Sequence, residues 1–330
     1  MENTKQVKSM PEWLKKALGF ARDHVYDIFS VAGLVLCVII FSITSNGRLW
    51  SSYNVGIVIE QVTMYVIISL GAVFVYAMGY MDVSLGSQMG VYVLLMIMIV
   101  NATGSLLLAF LVILAMALAC GAFNGAVAVW LRLPSIVTSL FLMFIFGGIQ
   151  YLLIESTGSN TISTSLDMDF FTETWVMAGA MVLVGAIVFY LFNFTKLGKY
   201  TKGIGANELT TSQCGVNTTK WKVIAYMVFG VCVAVGSVFL LARTGSGGRG
   251  TGSGYAMDIM LCLILGGMPL SGGTRSKVRC AVIGSVTYVL LSNGLLLSGV
   301  EMNLVNLVKA IVFLVVVVLS CRDNSGYYPR

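Results

Sequence analysis

Charged residues are scarce in this chain. They make up 10% of its 330 residues, whereas hydrophobic residues make up 58%. A soluble domain typically carries about 25% charged residues. A chain this apolar cannot hide its hydrophobic side chains in one water-soluble core. The composition therefore predicts an integral membrane protein, in which lipid is the solvent.

Residues that support catalysis or metal binding are also rare. The one histidine, His24, precedes the first apolar run and cannot complete a Ser-His-acid set within the membrane. The seven cysteines are scattered without a C-x-x-C pair, which gives no pattern for a metal site or a disulfide framework. No G-x-x-x-x-G-K-(S/T) sequence is present to bind the phosphates of ATP. We expect no catalytic residue, no metal and no cofactor bound by this chain, which is not an enzyme.

Several apolar runs are long enough, or nearly long enough, to cross a bilayer as helices. Ten spans of roughly 20 residues would use about 200 residues, close to the apolar content of the chain. We predict an all-α integral membrane protein with about ten transmembrane helices, some of them broken or short. The runs lie near residues 28–46, 56–78, 84–101, 105–130, 135–154, 174–194, 221–242, 256–270, 279–299 and 303–321.

The distribution of basic residues predicts the orientation of these spans. Sixteen of the 20 Lys and Arg residues fall on the side of the N-terminus and three on the other side. Cytoplasmic loops carry such an excess, so both termini are predicted to be cytoplasmic, and the net charge of +6 does not indicate nucleic-acid binding. The predicted organisation is a cytoplasmic amphipathic segment at 1–27, a transmembrane domain at 28–321 and a cytoplasmic tail at 322–330.

The longest basic interruption between apolar runs extends from Lys196 to Lys222. It contains five lysines and a single acidic residue, Glu208. Within the predicted cytoplasmic loop 196–220, Asn207 is suited to begin a short helix and Gly215 to end it. A helix of this kind between two spans would offer a contact surface to a partner protein, although an ordinary loop helix is the alternative.

Two of the predicted spans look irregular. The run 256–270 is short, and its end is broken by glycine and proline. The segments 79–86 and 266–273 share the pattern G-x-M-x-(V/L)-S-x-G. Broken helices at corresponding places in two halves of a chain indicate a transport pathway, whereas chance similarity among 36 glycines is the alternative. The residues assigned to the breaks and the pathway are Gly79, Asp82, Ser84, Gly86, Gly266, Gly267 and Ser271.

Few ionisable residues lie near the bilayer, and each costs about 3 kcal/mol if it faces lipid at the bilayer centre. We expect them to face protein, water or the interface. Asp82 would bind the free amides of the next helix, and a gating role is the alternative. A carrier driven by an ion gradient usually needs more buried acids, and a non-transporting scaffold has no use for broken helices. The glycine-rich run 245–254 is predicted to be a flexible external connector. The ionisable residues are Glu60, Asp82, Asp258, Glu301 and Lys309.

Motifs spread over residues 50–320 resemble those of the permease subunits of bacterial ABC importers for ribose, galactose and related solutes, in the branched-chain amino acid/ribose permease superfamily. Their order and spacing carry the resemblance more than any one of them. The motifs are GYMDVSLGS at 79–87, FNG at 123–125, RLPSIVTSL at 132–140, TKLGKY at 195–200, GANE at 205–208, CGVN at 214–217, GYAMD at 254–258, LGG at 265–267 and LSGG at 270–273.

The resemblance implies a membrane-spanning importer subunit that forms the pathway for a sugar or sugar-like solute, in the bacterial plasma membrane. It implies three kinds of partner: a second permease copy or sister permease, a cytoplasmic subunit that hydrolyses ATP, and an extracellular solute-binding protein. It assigns coupling to the ATPase to Gly205, Asn207, Glu208 and Gly215. Related permeases for nucleosides or amino acids, and an ion-driven transporter, remain the alternatives.

The chain departs from the family pattern at two places. Tyr80 stands where glycine is usual, and the segment 276–280 replaces a glycine-rich stretch. These departures fit a divergent sister permease in a heteromeric pair. If the chain is such an importer subunit, we expect Glu208→Lys to leave folding and insertion intact while uncoupling ATP hydrolysis from uptake.

Overall fold

The computed structural model describes residues 25–130 and 133–322, and these are almost entirely helical. The predicted amphipathic segment up to residue 24, Arg132 and the tail after Arg322 lie outside the described residues. The helices are α1 Val25–Thr44, α2 Ser52–Ala77, α3 Leu85–Thr103, α4 Leu106–Trp130, α5 Ser135–Glu155, α6 Asp169–Thr172, α7 Thr174–Phe194, α8 Lys196–Ala206, α9 Glu208–Gln213, α10 Thr218–Thr244, α11 Tyr255–Leu265, α12 Arg279–Leu297 and α13 Met302–Arg322, with a 3-10 turn at Arg48–Trp50. Two short strands, β1 (Thr161–Ser163) and β2 (Ser246–Gly248), pair antiparallel, with Ile162 opposite Gly247.

Seven of the described helices are long and apolar enough to cross a membrane, which confirms the prediction of an all-α membrane protein. They are α2, α3, α4, α5, α7, α10 and α12. Three shorter apolar helical stretches accompany them, at Ser30–Thr44, Tyr255–Leu265 and Met302–Val315. The sequence prediction of about ten spans counts these three as well.

The two ends of the bundle differ in what they carry. Where α2 ends and α10 begins, the bundle carries α8 and α9, with Gly205 against Ala77. We call this end the basic face. The opposite face carries β1 and β2 and an exposed ion pair between Glu155 and Arg249. Each long helix therefore connects a face rich in lysine to a face built from short strands and loops.

Helix α10 lies at the centre of the bundle and packs closely against α4. A Cβ atom on Gly121 of α4 would lie 2.6 Å from the carbonyl oxygen of Tyr226, and one on Gly230 of α10 would lie 2.6 Å from that of Ala117. Both helices thus approach to backbone contact through glycine. Apolar side chains gain little by leaving lipid, so van der Waals contact of this kind drives association between membrane helices.

The glycine-rich run after α10 is folded into the bundle, so the prediction of a flexible connector is wrong. Gly247 lies in β2 and packs against Val93, Leu94 and Ile97 of α3. Gly252 packs against the backbone of Gly86, about two turns earlier in the same helix. The run therefore descends along α3, and α11 begins inside the bundle. Its 11 residues span about 16 Å, roughly half of a bilayer core.

Irregular backbone inside a membrane needs hydrogen-bond partners from protein, because lipid offers none. Here α5 supplies them through Gln150, which is buried. Its Nε2 atom donates to the carbonyl oxygens of Gly248 at 2.8 Å and Thr251 at 3.0 Å. The Thr251 hydroxyl oxygen in turn accepts a hydrogen bond from the Gly248 amide. One side chain thus holds both ends of the turn that leads into α11.

The close approach of α4 and α10 predicts that even one added methyl group is destabilising. We expect Gly121→Ala to lower the free energy of unfolding by about 1–3 kcal/mol, because the methyl group would meet a backbone carbonyl that cannot move alone. Thermal unfolding in detergent measures the effect. Gly179→Ala in α7 is the matched control, since a Cβ there meets nothing within 4 Å. Equal stability of Gly121→Ala and Gly179→Ala would contradict the contact.

The role of Gln150 predicts a second effect on stability. Gln150→Met keeps much of the volume but removes the donor to the Thr251 carbonyl oxygen and leaves Gly248 with the Thr251 amide, at a cost of about 1–3 kcal/mol. Leu153→Met, one turn further along α5, should cost less than about 1.5 kcal/mol. The unfolding midpoints of both variants give the comparison. Indistinguishable midpoints would show that the glycine-rich turn does not depend on this side chain.

Candidate functional site

The basic loop folds into two short helices rather than the single one predicted. Asn207 caps α9, since its side-chain oxygen accepts a hydrogen bond from the Thr210 amide at 2.9 Å. Helix α9 ends at Gln213, and Gly215 follows with a φ of 80°, the left-handed conformation expected of a helix terminator. The predicted boundaries of α9 are thus nearly right, whereas the sequence analysis missed α8 altogether.

Helix α8 lies along the bundle on one apolar face. Its buried residues include Leu197, Thr201 and Ile204, which are spaced as on one side of a helix. That spacing was the signal in the sequence that marks α8 as a helix. Lys202 lies with its ammonium group 4.3 Å from the centre of the Phe192 ring, and partial burial lowers the pKa of Lys202.

Glu208 is held in place by three side chains. Its carboxylate contacts the Lys222 ammonium at 2.5 Å, and the hydroxyl groups of Tyr80 and Thr218 each approach it at 3.4 Å. The Lys222 side chain is only 6% exposed, whereas that of Glu208 is 45% exposed. Lys222 also lies 5.1 Å from the centre of the Tyr80 ring. Glu208 therefore neutralises a buried cation of α10 and ties α9 to it.

This ion pair changes the expectation for Glu208→Lys. Removing one partner of a buried pair leaves the other charge uncompensated, which is costly. A second lysine beside Lys222 would add repulsion to that cost. The ion pair therefore predicts a loss of stability in this variant, in contrast to the expectation that its folding and insertion stay intact.

Gly205 joins three segments of the chain. A Cβ atom on Gly205 would overlap the carbonyl oxygen of Ala77 and lie 2.6 Å from the amide nitrogen of Gly273. That same amide donates to the Ala77 oxygen at 2.8 Å. The end of α2, the segment after α11 and the end of α8 thus meet at one carbonyl group. No side chain separates the basic loop from the two predicted helix breaks.

The two helix breaks have the same local geometry. After α2, Gly79 has a φ of 74°, and Tyr80 donates its amide hydrogen bond to Val75 at 3.2 Å. After α11, Gly267 has a φ of 85°, and Met268 donates to Leu263 at 3.0 Å. Both are helix ends with a left-handed glycine. Gly79 therefore corresponds in structure to Gly267, one residue later than the alignment of the sequence pattern with Gly266.

The two breaks also lie against each other. A Cβ atom on Gly79 would lie 2.8 Å from the carbonyl oxygen of Ser271. Gly266 packs instead on the backbone of Cys280 in α12, and Gly86 packs on Gly252. The predicted pathway residues thus divide into a group at the basic face, Gly79 and Ser271, and two separate backbone contacts deeper in the bundle.

Asp82 anchors a buried chain of hydrogen bonds before α3. One carboxylate oxygen accepts from the amide of Ser84 at 2.7 Å and from its hydroxyl at 2.5 Å. The other accepts from the side-chain amide of Asn124 in α4 at 2.6 Å. Gln88 donates to the Ser84 hydroxyl at 2.7 Å and accepts from Tyr92 at 3.2 Å. The expected role of Asp82 at the helix start is thus present, with Asn124 as an additional partner.

The exposed part of this site is helix α9. Among residues 25–130 and 133–322, no group of three or more His, Cys, Asp or Glu side chains is placed to hold a metal ion. Helix α9 is exposed along its length, and its Leu209 side chain is 68% exposed. The surface of α9 is therefore accessible to a partner protein.

Comparison with known proteins places this geometry in context. Residues 54–317 match the family described as the branched-chain amino acid transport system / permease component. The chain is 27% identical to the ribose import permease protein of Escherichia coli, over 89% of this chain and 93% of the relative. It is 28% identical to an autoinducer 2 import system permease protein of Photorhabdus laumondii, over 81% of each chain.

A third relative, the galactose/methyl galactoside import permease protein of Salmonella typhimurium, is 26% identical over 89% of this chain and 90% of its own length. No solved structure matches the chain.

The Glu208–Lys222 contact predicts how this site responds to charge changes. We expect Glu208→Lys to lower the free energy of unfolding by about 2 kcal/mol, since Lys222 is buried and loses its counter-charge. The exchanged pair Glu208→Lys/Lys222→Glu should recover much of that loss. Unfolding midpoints in detergent measure both.

The exposed pair of Glu155 and Arg249, at 2.7 Å, supplies the control. Glu155→Lys should cost less than about 1 kcal/mol, because both residues of this pair are exposed to solvent. A loss at Glu155 as large as the loss at Glu208, or no recovery in the exchanged pair, would contradict the role assigned to Glu208.

Proposed function

Because the chain belongs to the family of branched-chain amino acid transport system permease components, we propose that it is the membrane-spanning subunit of an ATP-driven importer for a sugar or sugar-like solute. The three relatives named above import ribose, autoinducer 2 and galactose or methyl galactoside. The protein is a multi-pass component of the bacterial inner membrane. It works with a second permease copy or a sister permease, an extracellular solute-binding protein and a cytoplasmic subunit that hydrolyses ATP.

The observation that carries the proposal is the junction at Ala77. Gly205 of the basic loop and Gly273 of the second break both contact this residue at the end of α2. A partner that moves α9 would therefore move both breaks without an intervening flexible segment. Glu208 fixes α9 to α10, and the Asn207 amide donates to the Gly203 carbonyl oxygen of α8 at 3.0 Å, so that the displacement is transmitted.

The proposed arrangement has ten spans with both termini in the cytoplasm. The seven long apolar helices and the three shorter ones give this number. The basic face then faces the cytoplasm, in agreement with the excess of Lys and Arg there. The ATPase subunit docks on α9, and Gly215 allows the chain to turn back into α10.

An ion-driven transporter is the competing function. It needs ionisable groups whose protonation or ion binding changes during transport. Two acids expected near the bilayer each have a basic residue 4.0 Å away: Glu60 lies beside Arg243, and Asp258 beside Lys309. The family match over residues 54–317 supports the ATP-driven proposal over this alternative.

Uptake by proteoliposomes tests the proposed function. Vesicles that contain this chain, its ATPase and its binding protein should accumulate labelled ribose or galactose only with ATP on the cytoplasmic side. Leu209→Asp on α9 should reduce both uptake and co-purification of the ATPase at least about tenfold, because it places a charge in the docking surface.

Ser156→Asp, which adds the same charge to an exposed residue of the opposite face, should leave co-purification unchanged. Uptake that needs no ATPase and collapses with an ionophore would establish the ion-driven alternative instead.

A further inference from the structure

Four polar side chains meet inside the bundle, away from the basic loop. The Tyr65 hydroxyl of α2 donates to a carboxylate oxygen of Asp258 at 3.0 Å. The other carboxylate oxygen lies 4.0 Å from the Lys309 ammonium of α13. Lys309 also donates to the Tyr288 hydroxyl of α12 at 2.7 Å. The Tyr65 ring contacts that of Tyr288 at 4.9 Å between centroids. We call these four residues the central cluster.

The central cluster lies at the depth of the hydrocarbon core. Asp258 is in the first turn of α11, and the rest of that helix separates it from the basic face by about 10 Å. Lys309 is two turns into α13, about 10 Å from the first residue of that helix. Both positions lie well inside a core of about 30 Å. A charged group at this depth costs several kcal/mol if it faces lipid.

The charged ends of the cluster are not sealed within the chain. The Asp258 side chain is 25% exposed and that of Lys309 is 17% exposed. Asn306 lies one turn before Lys309 on the same face of α13 and is exposed. This polar surface cannot face lipid, so it faces water, a solute or another protein.

The cluster also has hydrogen-bonding capacity left for a ligand. A lysine ammonium has three donors, of which one bonds Tyr288, while Asp258 at 4.0 Å lies beyond hydrogen-bonding distance. A carboxylate accepts several hydrogen bonds, and the separation of 4.0 Å from Lys309 leaves its oxygen accessible. Tyr255, with its ring centroid 5.6 Å from that of Tyr65, adds a partly exposed aromatic surface beside the two charges.

We propose that Asp258 and Lys309 contact the solute during translocation, and that the solute is a neutral, polyhydroxylated molecule. Hydroxyl groups both donate to a carboxylate and accept from an ammonium, so a neutral sugar satisfies both charges without adding one. The neighbouring aromatic rings offer apolar faces to its C–H groups. This inference rests on the proposed function, since it assigns the contact within the same importer.

Substitution of the two charges separates solute contact from a structural ion pair. In proteoliposomes, Asp258→Asn and Lys309→Met should each lower sugar uptake per ATP hydrolysed by about tenfold, the loss expected for one hydrogen bond to a charged group. The double variant leaves no unpaired charge, so its thermal stability should return towards that of the unmodified chain while its uptake stays low. Recovery of uptake in the double variant would overturn the proposal, because the pair would then be structural only.

Thiol labelling tests the same surface without transport. Asn306→Cys should react with a membrane-impermeant thiol reagent and be protected by the transported sugar. Leu304→Cys, on the opposite side of α13 at nearly the same depth, is the control and should stay unreactive. Labelling of the unmodified chain measures the reaction of its native cysteines and is subtracted from both signals.

Equal labelling at both positions, or no labelling at Asn306→Cys, would overturn the proposal. Dissociation of the permease pair by Asp258→Asn would also overturn it, because the surface would then belong to the subunit interface. An unmodified chain that takes up no sugar with ATP would instead refute the proposed function, and labelling would still report on the cluster.

Discussion

Two peptide segments interrupt the helices inside this bundle, and each needs hydrogen-bond partners that lipid cannot supply. Before α3, Asp82 and Asn124 provide them. Before α11, Gln150 binds two carbonyl groups of the glycine-rich turn. Asn124 and Gln150 come from neighbouring spans, so these contacts exist only in the folded protein. The bundle therefore fixes its irregular segments as firmly as its helices.

Glycine brings the backbones of several segments of the bundle into direct contact. At Gly205 and Gly273 the basic loop and the second break reach the carbonyl group of Ala77 directly. At Gly121 and Gly230 the same chemistry joins α4 to α10. Backbone contacts leave no side chain that can change rotamer and absorb a displacement. A movement of the short exposed helix α9 is thereby coupled to the interior of the bundle.

Local signals in the sequence predicted much of the candidate site. Asn207 and Gly215 marked the ends of α9 closely, and the repeated glycine pattern located both breaks. Other parts were missed because their cause is not local. The run 245–254 has the composition of a flexible linker, yet Gln150, about a hundred residues away, holds it inside the bundle. The correspondence of Gly79 with Gly267 rather than Gly266 depends on which glycine after each helix adopts the left-handed conformation. A pattern of residue types does not determine that.

The sequence by itself determined that the protein lies in lipid, that it is helical and where its helices break. These properties follow from composition, from the length of apolar runs and from glycine spacing, which are all read directly along the chain. The tertiary structure alone decided which polar groups meet. Lys222 pairs with Glu208, and Asp258 lies beside Lys309. The residues of each pair belong to different helices, which meet only when the bundle packs. Partners of this kind are chosen by the cost of leaving a buried charge or carbonyl unpaired, and that cost is set only when the helices pack.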